Sequence, residues 1–400
     1  MKKILYILFL LLLTAPAFAQ KKEISQAREW VKKNQNLDRA EQSMKKLLAD
    51  SANRNDEKMW LILFEAVQKQ YEQGNEKLYL KQNYDTAALF NNTLKMFQIL
   101  EGLDSVDQSP DKKGRVKLSY RKKHAQLLHS LRPNLYNGGV YFVRKQKYED
   151  AYKFFDAYID CTRQPLFTEY GYEEKDRNLS SAAYWAVYCG YKMKNPTATL
   201  HHTYQALKDT AHYCLMLQYL AETYKLENDT LRYVKTIEEG FRRYPTFKFF
   251  FPRLVEYYSN HQQWEEALTT CNEALKADSL NQVFLFAKST VLLNTGKYHE
   301  SLVISDSLIV RNDSLADAWL NAGLACFNEG IELDKNTETS RKVRNRILAC
   351  YQKALPYLER YRQLAPERQD KWALPLYTIY LNLNMGTKFD EIDKLIREKK

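Results

Sequence analysis

A spacing of 34 residues recurs in the second half of this chain and restricts its fold more than any other feature. Large apolar residues stand at Leu217, Phe251, Leu285 and Trp319, each 34 positions after the one before. The residues that lie three, four and seven positions after each of them are mostly apolar or small, as in the run 319–326. These offsets place side chains on one face of an α-helix. A second apolar stripe follows after a short break, so the sequence predicts repeated pairs of amphipathic helices.

The repeating unit resembles the tetratricopeptide repeat, which has a large-small-aromatic pattern in its first helix and an alanine, an aromatic and a proline in its second. The run "WLNAGLAC" at 319–326, followed by "YQKALPYLERYRQLAP" at 351–366, carries this resemblance, as does "LQYLAETY" at 217–224 followed by Pro245. The resemblance extends over residues 21–400, in roughly eight or nine units. It implies an all-α fold, an α-solenoid of stacked antiparallel helix pairs that form a right-handed superhelix with a long concave surface.

Paired glycines at Gly138-Gly139 have three possible roles: a hairpin turn, a phosphate-binding loop, or a close contact between helices. No alternating strand pattern flanks the pair and no G-K-[ST] follows it, which argues against the first two roles. Leu135 and Phe142 occupy the large and aromatic positions of the repeat on either side. We therefore expect both glycines inside a first helix, which Pro133 would open in its first turn.

Four stretches interrupt the pattern and are expected to be loops or connections. They are 71–83, 101–117, 161–178 and 328–348. With these interruptions, the chain is expected to comprise degenerate repeats over 20–131, a main array over 132–368 and a capping repeat over 369–400.

The first nineteen residues have the features of an export signal. Two lysines precede an apolar run, and the segment ends in Ala17-Phe18-Ala19. The apolar run is shorter than the roughly 17–25 residues of a spanning helix, so we expect cleavage before Gln20 and no transmembrane segment afterwards. This predicts an exported bacterial protein, periplasmic or secreted, in a Gram-negative envelope.

Charge indicates the kind of partner. The formal net charge is +11, and removal of the signal lowers it by two lysines. An exported basic chain would meet acidic proteins, anionic lipid or polysaccharide rather than nucleic acid. Charges of both signs are nevertheless interspersed along most of the chain, which is also typical of solvated helix faces.

No motif in the sequence indicates catalysis, a cofactor or a metal. The histidines lack the HExxH pattern, and His201 and His202 are expected on opposite sides of a helix. The six cysteines lack C-x-x-C spacing, and Cys326 and Cys350 are the one pair considered for a disulfide. The sequence therefore predicts a protein that is not an enzyme.

A triplet of Asp, then Ser or Thr, then an apolar residue recurs along the chain. It is similar to the acceptor triplet of a bacterial O-glycosylation system, but Asp and Ser also satisfy free N–H groups at helix starts. The triplets begin at Asp50, Asp85, Asp104, Asp209, Asp229, Asp278, Asp306 and Asp313.

Six residues on the expected concave face are candidates for partner binding, three aromatic and three cationic. They are Tyr136, Trp185, Tyr377, Arg144, Lys192 and Lys225. Aromatic residues make good anchors and cations favour acidic partners. The predicted function is a non-enzymatic scaffold that binds a protein or peptide there. The alternative is an envelope-associated binder of anionic lipid or polysaccharide through basic loops such as 111–124.

Overall fold

The computed structural model describes residues 20–110, 114–336 and 340–397, apart from the side chain of residue 336. Throughout these residues the regular structure is helical and contains no strand. No helix in the described ranges is long and apolar enough to cross a membrane. The predicted export signal at 1–19 lies outside the described residues, so it stays a prediction.

The chain divides into two compact units, one up to Glu227 and one from Asn228 onward. Unit 1 contains eleven helical segments among its described residues and two short 3₁₀ segments, Ser51–Asn53 and Pro165–Tyr170. Its helices are α1 (20–32), α2 (Leu37–Leu48), α3 (Glu57–Tyr79), α4 (Thr86–Asp107), α5 (Arg121–Arg144), α6 (Tyr148–Asp160), α7 (Tyr172–Lys175), α8 (Leu179–Lys192), α9 (Pro196–His201), α10 (Thr203–Ala206) and α11 (Tyr213–Leu226).

Unit 2 continues the pattern with α12 (Thr230–Arg243), α13 (Phe250–Asn260), α14 (Trp264–Ala277), α15 (Gln282–Asn294), α16 (Tyr298–Arg311), α17 (Ala316–Asn336), α18 (Arg341–Leu364), α19 (Gln369–Asn382) and α20 (Gly386–Arg397). In both units, helices pack mainly against their neighbours along the chain. This confirms the predicted all-α class of packed helix pairs. In each pair we call the helix before the turn the first helix and the other the second helix.

Seven turns between paired helices are closed by a residue with a left-handed backbone, and Asn228, at the boundary of the two units, has the same conformation. Among the described residues the seven are Asn34, Lys81, Gln146, Lys194, Gln262, Gly296 and Asn384. The residue after each turn position bonds back to the helix, as in Gln263 N–H to Tyr258 O at 2.8 Å and Lys297 N–H to Leu292 O at 2.9 Å. This is the hydrogen bond of a Schellman C-cap. Asn228, Gln262 and Gly296 are spaced by 34, which confirms the period read from the sequence.

Gly138 and Gly139 lie inside α5 and are buried, as predicted. A Cβ on Gly138 would lie 2.7 Å from Phe154 Cδ1, and one on Gly139 would lie 2.6 Å from Phe155 Cζ. The aromatic rings of α6 therefore occupy the space that side chains would need. The close-contact interpretation of the pair is confirmed.

The prediction that Pro133 opens a helix is wrong. Helix α5 begins at Arg121 and continues through Pro133 to Arg144. Proline removes one backbone hydrogen bond there. Leu128 and Leu135 are fully buried on either side of it, so apolar packing holds the helix continuous across the proline.

All four predicted loops are partly helical, and three of them extend the neighbouring helices. The stretch 71–83 extends α3 to Tyr79, and 101–117 extends α4 to Asp107. The stretch 328–348 lengthens both α17 and α18. Buried Ile347 and Tyr351 line the longer contact, and a Cβ on Gly330 would lie 2.9 Å from Tyr351 Cε1. The extra turns bury apolar surface, which explains why they are ordered as helix.

The fourth stretch, 161–178, forms the 3₁₀ segment and α7 and packs onto α5. Cys326 and Cys350 are free thiols, so the disulfide considered from the sequence is not formed.

Asp side chains of the recurring triplets act as caps in several places. Asp50 accepts from Ala52 N–H at 3.0 Å, Asp85 from Ala87 N–H at 2.9 Å and Asp229 from Arg232 N–H at 2.9 Å. These bonds support the capping interpretation. Modification of the adjacent Ser and Thr stays a prediction.

Replacing Gly139 by Ala should destabilise unit 1 although alanine is the better helix former. The added methyl group meets the buried ring of Phe155, and overpacking of this kind costs about 1–3 kcal/mol. Gly386→Ala is the control, because nothing lies within 4 Å of a Cβ there. Thermal unfolding followed by circular dichroism should show a lower midpoint for Gly139→Ala alone. An unchanged midpoint would contradict the assigned contact.

The turn residues allow a test with opposite signs in unit 2. Gln262 has φ 59° and Gly296 has φ 75°, a region that favours glycine. Gln262→Gly should raise the stability by a few tenths to about 1 kcal/mol, and Gly296→Ala should lower it by about 1 kcal/mol or more. Urea unfolding of the two variants measures both. Shifts in the same direction would show that turn geometry does not govern these positions.

Candidate partner-binding surface

The first helices of unit 1 lie side by side. Asn134 of α5 donates to the Tyr71 hydroxyl of α3 at 3.1 Å, and the Tyr136 and Ser181 hydroxyls join α5 to α8 at 3.0 Å. Tyr191 of α8 donates to Glu222 of α11 at 2.7 Å. Each first helix ends at the turn of its pair. Since the first helices lie side by side, their carboxyl ends share one edge of the unit.

An aromatic cluster lies on the side of α8 that is only partly covered. Trp185 is half-buried, with its ring near-parallel to Phe155 of α6 at 6.5 Å between centroids. The Tyr188 ring meets Trp185 edge-on at 5.5 Å and Tyr148 at 5.9 Å. Edge-on and offset pairs of this kind stabilise each other and hold the rings rigid. We call Tyr136, Tyr148, Trp185, Tyr188 and Lys192 the aromatic face.

Lys192 extends over this cluster. Its Nζ lies 5.7 Å from the Tyr148 ring centroid and 5.8 Å from that of Tyr188, a cation–π arrangement. Arg144 is exposed at the end of α5, four residues before Tyr148. Within the described ranges, no carboxylate lies at salt-bridge distance from Lys192 or Arg144. Lys192 over the aromatic rings and Arg144 at the end of α5 therefore lack an acidic partner within the described residues.

Further exposed cations continue along the same edge, at or beside the turns that end the first helices. We call this set the turn-edge cations: Lys81, Arg144, Lys145, Lys147, Lys192, Lys194 and Lys225. Cations at helix carboxyl ends are favoured by the helix dipole, which accounts for part of the pattern. In unit 2, Lys297 is exposed directly after the turn residue Gly296, whereas no cation directly follows Gln262 or Asn384.

A cleft of about 350 Å³ lies beside Lys192. Tyr191, Lys194, Pro196 and Glu222 are among its lining residues. Because Lys192 also lines the cleft, the cleft lies next to the aromatic face, at the carboxyl end of α8.

The structure places five of the six predicted site residues in unit 1 and one in unit 2. Trp185 and Lys192 share one side of α8, whereas Lys225 ends α11. Tyr377 belongs to α19 of unit 2, where it is half-buried against Phe389 at 4.9 Å between ring centroids. Tyr377 therefore packs against its own capping helix, and it is not part of the aromatic face.

Two residues of the aromatic face were missed in the sequence. Tyr188 lies three residues after Trp185 and four before Lys192, a spacing that already predicts one shared helix face. Tyr148 begins α6, where helical spacing alone indicates a position in the apolar stripe of the second helix. Its contact with α8 depends on the packing of neighbouring pairs.

Next to Tyr136, a buried arginine binds the insertion 161–178 to α5. The Arg132 guanidinium lies between the rings of Tyr158 and Tyr172, at 3.7 and 3.8 Å from their centroids. It also pairs with Asp176 at 2.6 Å and donates to the Tyr158 carbonyl at 3.0 Å. With its charge neutralised and both faces covered, Arg132 has a structural role. A pocket of about 240 Å³ beside it is lined by Tyr136 as well.

Near this arginine, Glu101 lies in an unfavourable environment for a charge. Burial, together with the negative charge of Asp160, raises the pKa of Glu101 to about 8. Burial also raises the pKa of the Cys161 thiol. Both groups are therefore held neutral at neutral pH, which suits a packed interior rather than a nucleophile and its base.

The basic segment 111–124 is less available than its sequence indicates. Residues 111–113 lie outside the described ranges. Arg121 makes two hydrogen bonds to the Asp104 carboxylate, both at 2.8 Å, so its charge is neutralised. Tyr120 stacks on His124 at 5.6 Å. Lys122 and Lys123 remain exposed at the start of α5.

Comparisons with known proteins concern the fold. No family model matches the chain, and no curated protein matches it. The C-terminal part of a TPR repeat-containing protein from Cytophaga hutchinsonii matches with 10% identity and a TM-score of 0.45, covering 65% of this chain and 93% of that one. The TPR domain of P58(IPK) matches with 11% identity and a TM-score of 0.26, covering 88% of this chain and 99% of that one. The all-helical structure is consistent with a tetratricopeptide-repeat protein.

Glu101 should make the stability of the chain depend on pH. In the folded chain the Glu101 carboxyl stays protonated up to about pH 8, whereas in the unfolded chain it loses its proton near pH 4.5. The folded state binds more protons between these values, so stability falls as pH rises through this window, by up to about 1.4 kcal/mol per pH unit. Glu101→Gln should remove this loss and raise the thermal midpoint at about pH 8.

The control is Glu65→Gln, which removes an exposed carboxyl from α3. Thermal midpoints of the three proteins at about pH 5 and pH 8 provide the measurement. If Glu101→Gln keeps the full pH dependence of the original chain, another group is responsible for it.

Proposed function

We propose that this chain is a non-enzymatic scaffold of the periplasm that binds an extended, acidic segment of a partner protein along the aromatic face of unit 1. The observation that carries this proposal is the position of Lys192 and Arg144. Both cations are exposed, Lys192 lies over the half-buried rings of Tyr148 and Tyr188, and no described carboxylate lies at salt-bridge distance from either cation. A partner that supplies the missing carboxylates would complete the site.

Physical chemistry favours a peptide on this face. Trp185 and Tyr188 are held by ring contacts, so they offer apolar area with little loss of side-chain entropy on binding. Half-buried Trp and Tyr side chains are typical anchors in protein interfaces. The turn-edge cations would steer an acidic chain towards them and raise its association rate.

Tyrosine chemistry supports binding rather than catalysis. Burial and the neighbouring Tyr148 raise the pKa of Tyr188 to about 12. Its hydroxyl therefore stays protonated at neutral pH and serves as a hydrogen-bond donor and acceptor, not as a base. The periplasmic location rests on the sequence of residues 1–19 alone.

A second function, binding of anionic lipid or polysaccharide, is favoured by the turn-edge cations. Seven exposed cations lie at or beside the first-helix turns of unit 1. Contacts between exposed charges are screened over about 8 Å at physiological ionic strength, so such binding should disappear at moderate salt. A peptide anchored on Trp185 keeps its apolar contacts and should persist.

The test uses a phage-displayed library of random peptides, selected on the untagged chain from residue 20. We expect enrichment of peptides rich in Asp and Glu that also contain apolar residues. The double variant Arg144→Glu/Lys192→Glu should lose these peptides, since both side chains are exposed and the fold should survive. Lys276→Glu, an exposed charge reversal in unit 2, is the matched control and should retain them.

Titration of one selected peptide into each protein then measures the affinity at low and high salt. We expect a loss of at least about tenfold for the double variant, the equivalent of roughly 1.4 kcal/mol. Equal affinity in all three proteins would contradict the proposed site. Binding of anionic vesicles that vanishes at moderate salt, without any peptide enrichment, would favour the second function.

A further inference from the structure

A second group of side chains in unit 1 lies on the second helices, outside the aromatic face. Asp156 projects from α6, and His201 and His202 stand at the end of α9. A carboxylate oxygen of Asp156 and one ring nitrogen of each histidine lie within 4.8 Å of one another. The three residues come from neighbouring repeats, so only the stacking of the pairs brings them together.

The end of α9 explains how two adjacent histidines reach the same place. His201 is the last residue of the helix, and His202 leaves it with φ −106° and ψ 15°. Their ring centroids are 4.3 Å apart. The expectation that the two rings lie on opposite sides of a helix is therefore wrong, because it assumed that the helix continues through both residues.

The group is partly preorganised. His202 is buried, with 3% of its side chain exposed, and its Nε2 lies 2.6 Å from Asp156 Oδ1. Tyr152, one turn before Asp156, packs near His202 at 6.3 Å between ring centroids. Asp156 keeps 42% of its side chain exposed and His201 is exposed, so the open side of the group is accessible from solvent.

We propose that Asp156, His201 and His202 form a binding site for one Zn²⁺ ion. Two imidazoles and one carboxylate match the ligands of three-residue zinc sites, which keep a fourth position for water. Mg²⁺ and Ca²⁺ prefer sites made only of oxygen, so two histidines disfavour them.

The geometry needs only a small adjustment. Zinc bonds of about 2.0–2.2 Å in a tetrahedron place ligand atoms roughly 3.4 Å apart. The three atoms are already within 4.8 Å, and rotation of the exposed His201 ring closes the gap. Binding of the ion would displace the proton between His202 Nε2 and Asp156 Oδ1 to solvent, and these two atoms would separate as both become ligands.

Asp156 lies on α6 and the two histidines stand at the end of α9, so the ion would join these helices across two neighbouring repeats.

The experiment is equilibrium dialysis of the untagged chain against Zn²⁺, with metal analysis and with Mg²⁺ and Ca²⁺ in parallel. We expect one Zn²⁺ per chain, neither of the other ions, and a higher thermal midpoint with Zn²⁺. His201→Gln is the decisive variant, because its side chain is exposed and the metal-free fold should be unchanged. It should weaken Zn²⁺ binding by at least about tenfold, because loss of a residue that only supports a metal ligand already lowers metal affinity by about that factor.

His299→Gln, which removes an exposed histidine of α16 in unit 2, is the matched control and should bind as the original chain does. Asp156→Asn should weaken binding as His201→Gln does. The proposal is overturned if the original chain binds no Zn²⁺, or if His201→Gln binds it with unchanged affinity. Loss of binding in His299→Gln would also overturn it.

Discussion

The contact between the two helices of a pair is the constraint on which the rest of the structure depends. In α5 and α6 it is the fit of Phe155 into the space left by Gly139, and in α17 and α18 the fit of Leu358 beside Gly323. In α15 the same position is Ser289, whose hydroxyl lies 2.7 Å from that of Ser305. A small residue at this position lets these three pairs close and bury their apolar stripes.

The packing of the two helices in each pair determines which side chains of unit 1 remain exposed to solvent. Once the second helices cover one side of α5 and α8, the opposite side can be only partly buried. Trp185, Tyr188 and Lys192 lie there, held by rings from the neighbouring pair. The same stacking sets second helices side by side, which places Asp156 next to His202. The proposed peptide surface and the proposed metal site thus follow from the same packing of helix pairs.

Helical spacing in the sequence predicted much of the fold correctly. The period of 34, the helix pairs and the internal position of Gly138 and Gly139 could be read because helical spacing repeats in the sequence. The loop predictions failed where an interruption of the repeat pattern did not mean an absence of helix. In the stretch 328–348 described polar residues such as Glu332 and Arg344 are exposed, while Ile347, with Tyr351 just after the stretch, buries enough apolar surface for the helices to extend.

The sequence by itself determined the fold class, the repeat and the glycine contact between α5 and α6, because these depend on neighbours within one helix pair. Only the tertiary structure decided which side chains from different pairs meet. It joined Tyr148 to Tyr188 and Asp156 to His202, and neutralised Arg121 with Asp104. Such contacts depend on how one pair stacks on the next, and a periodic pattern carries no record of that stacking.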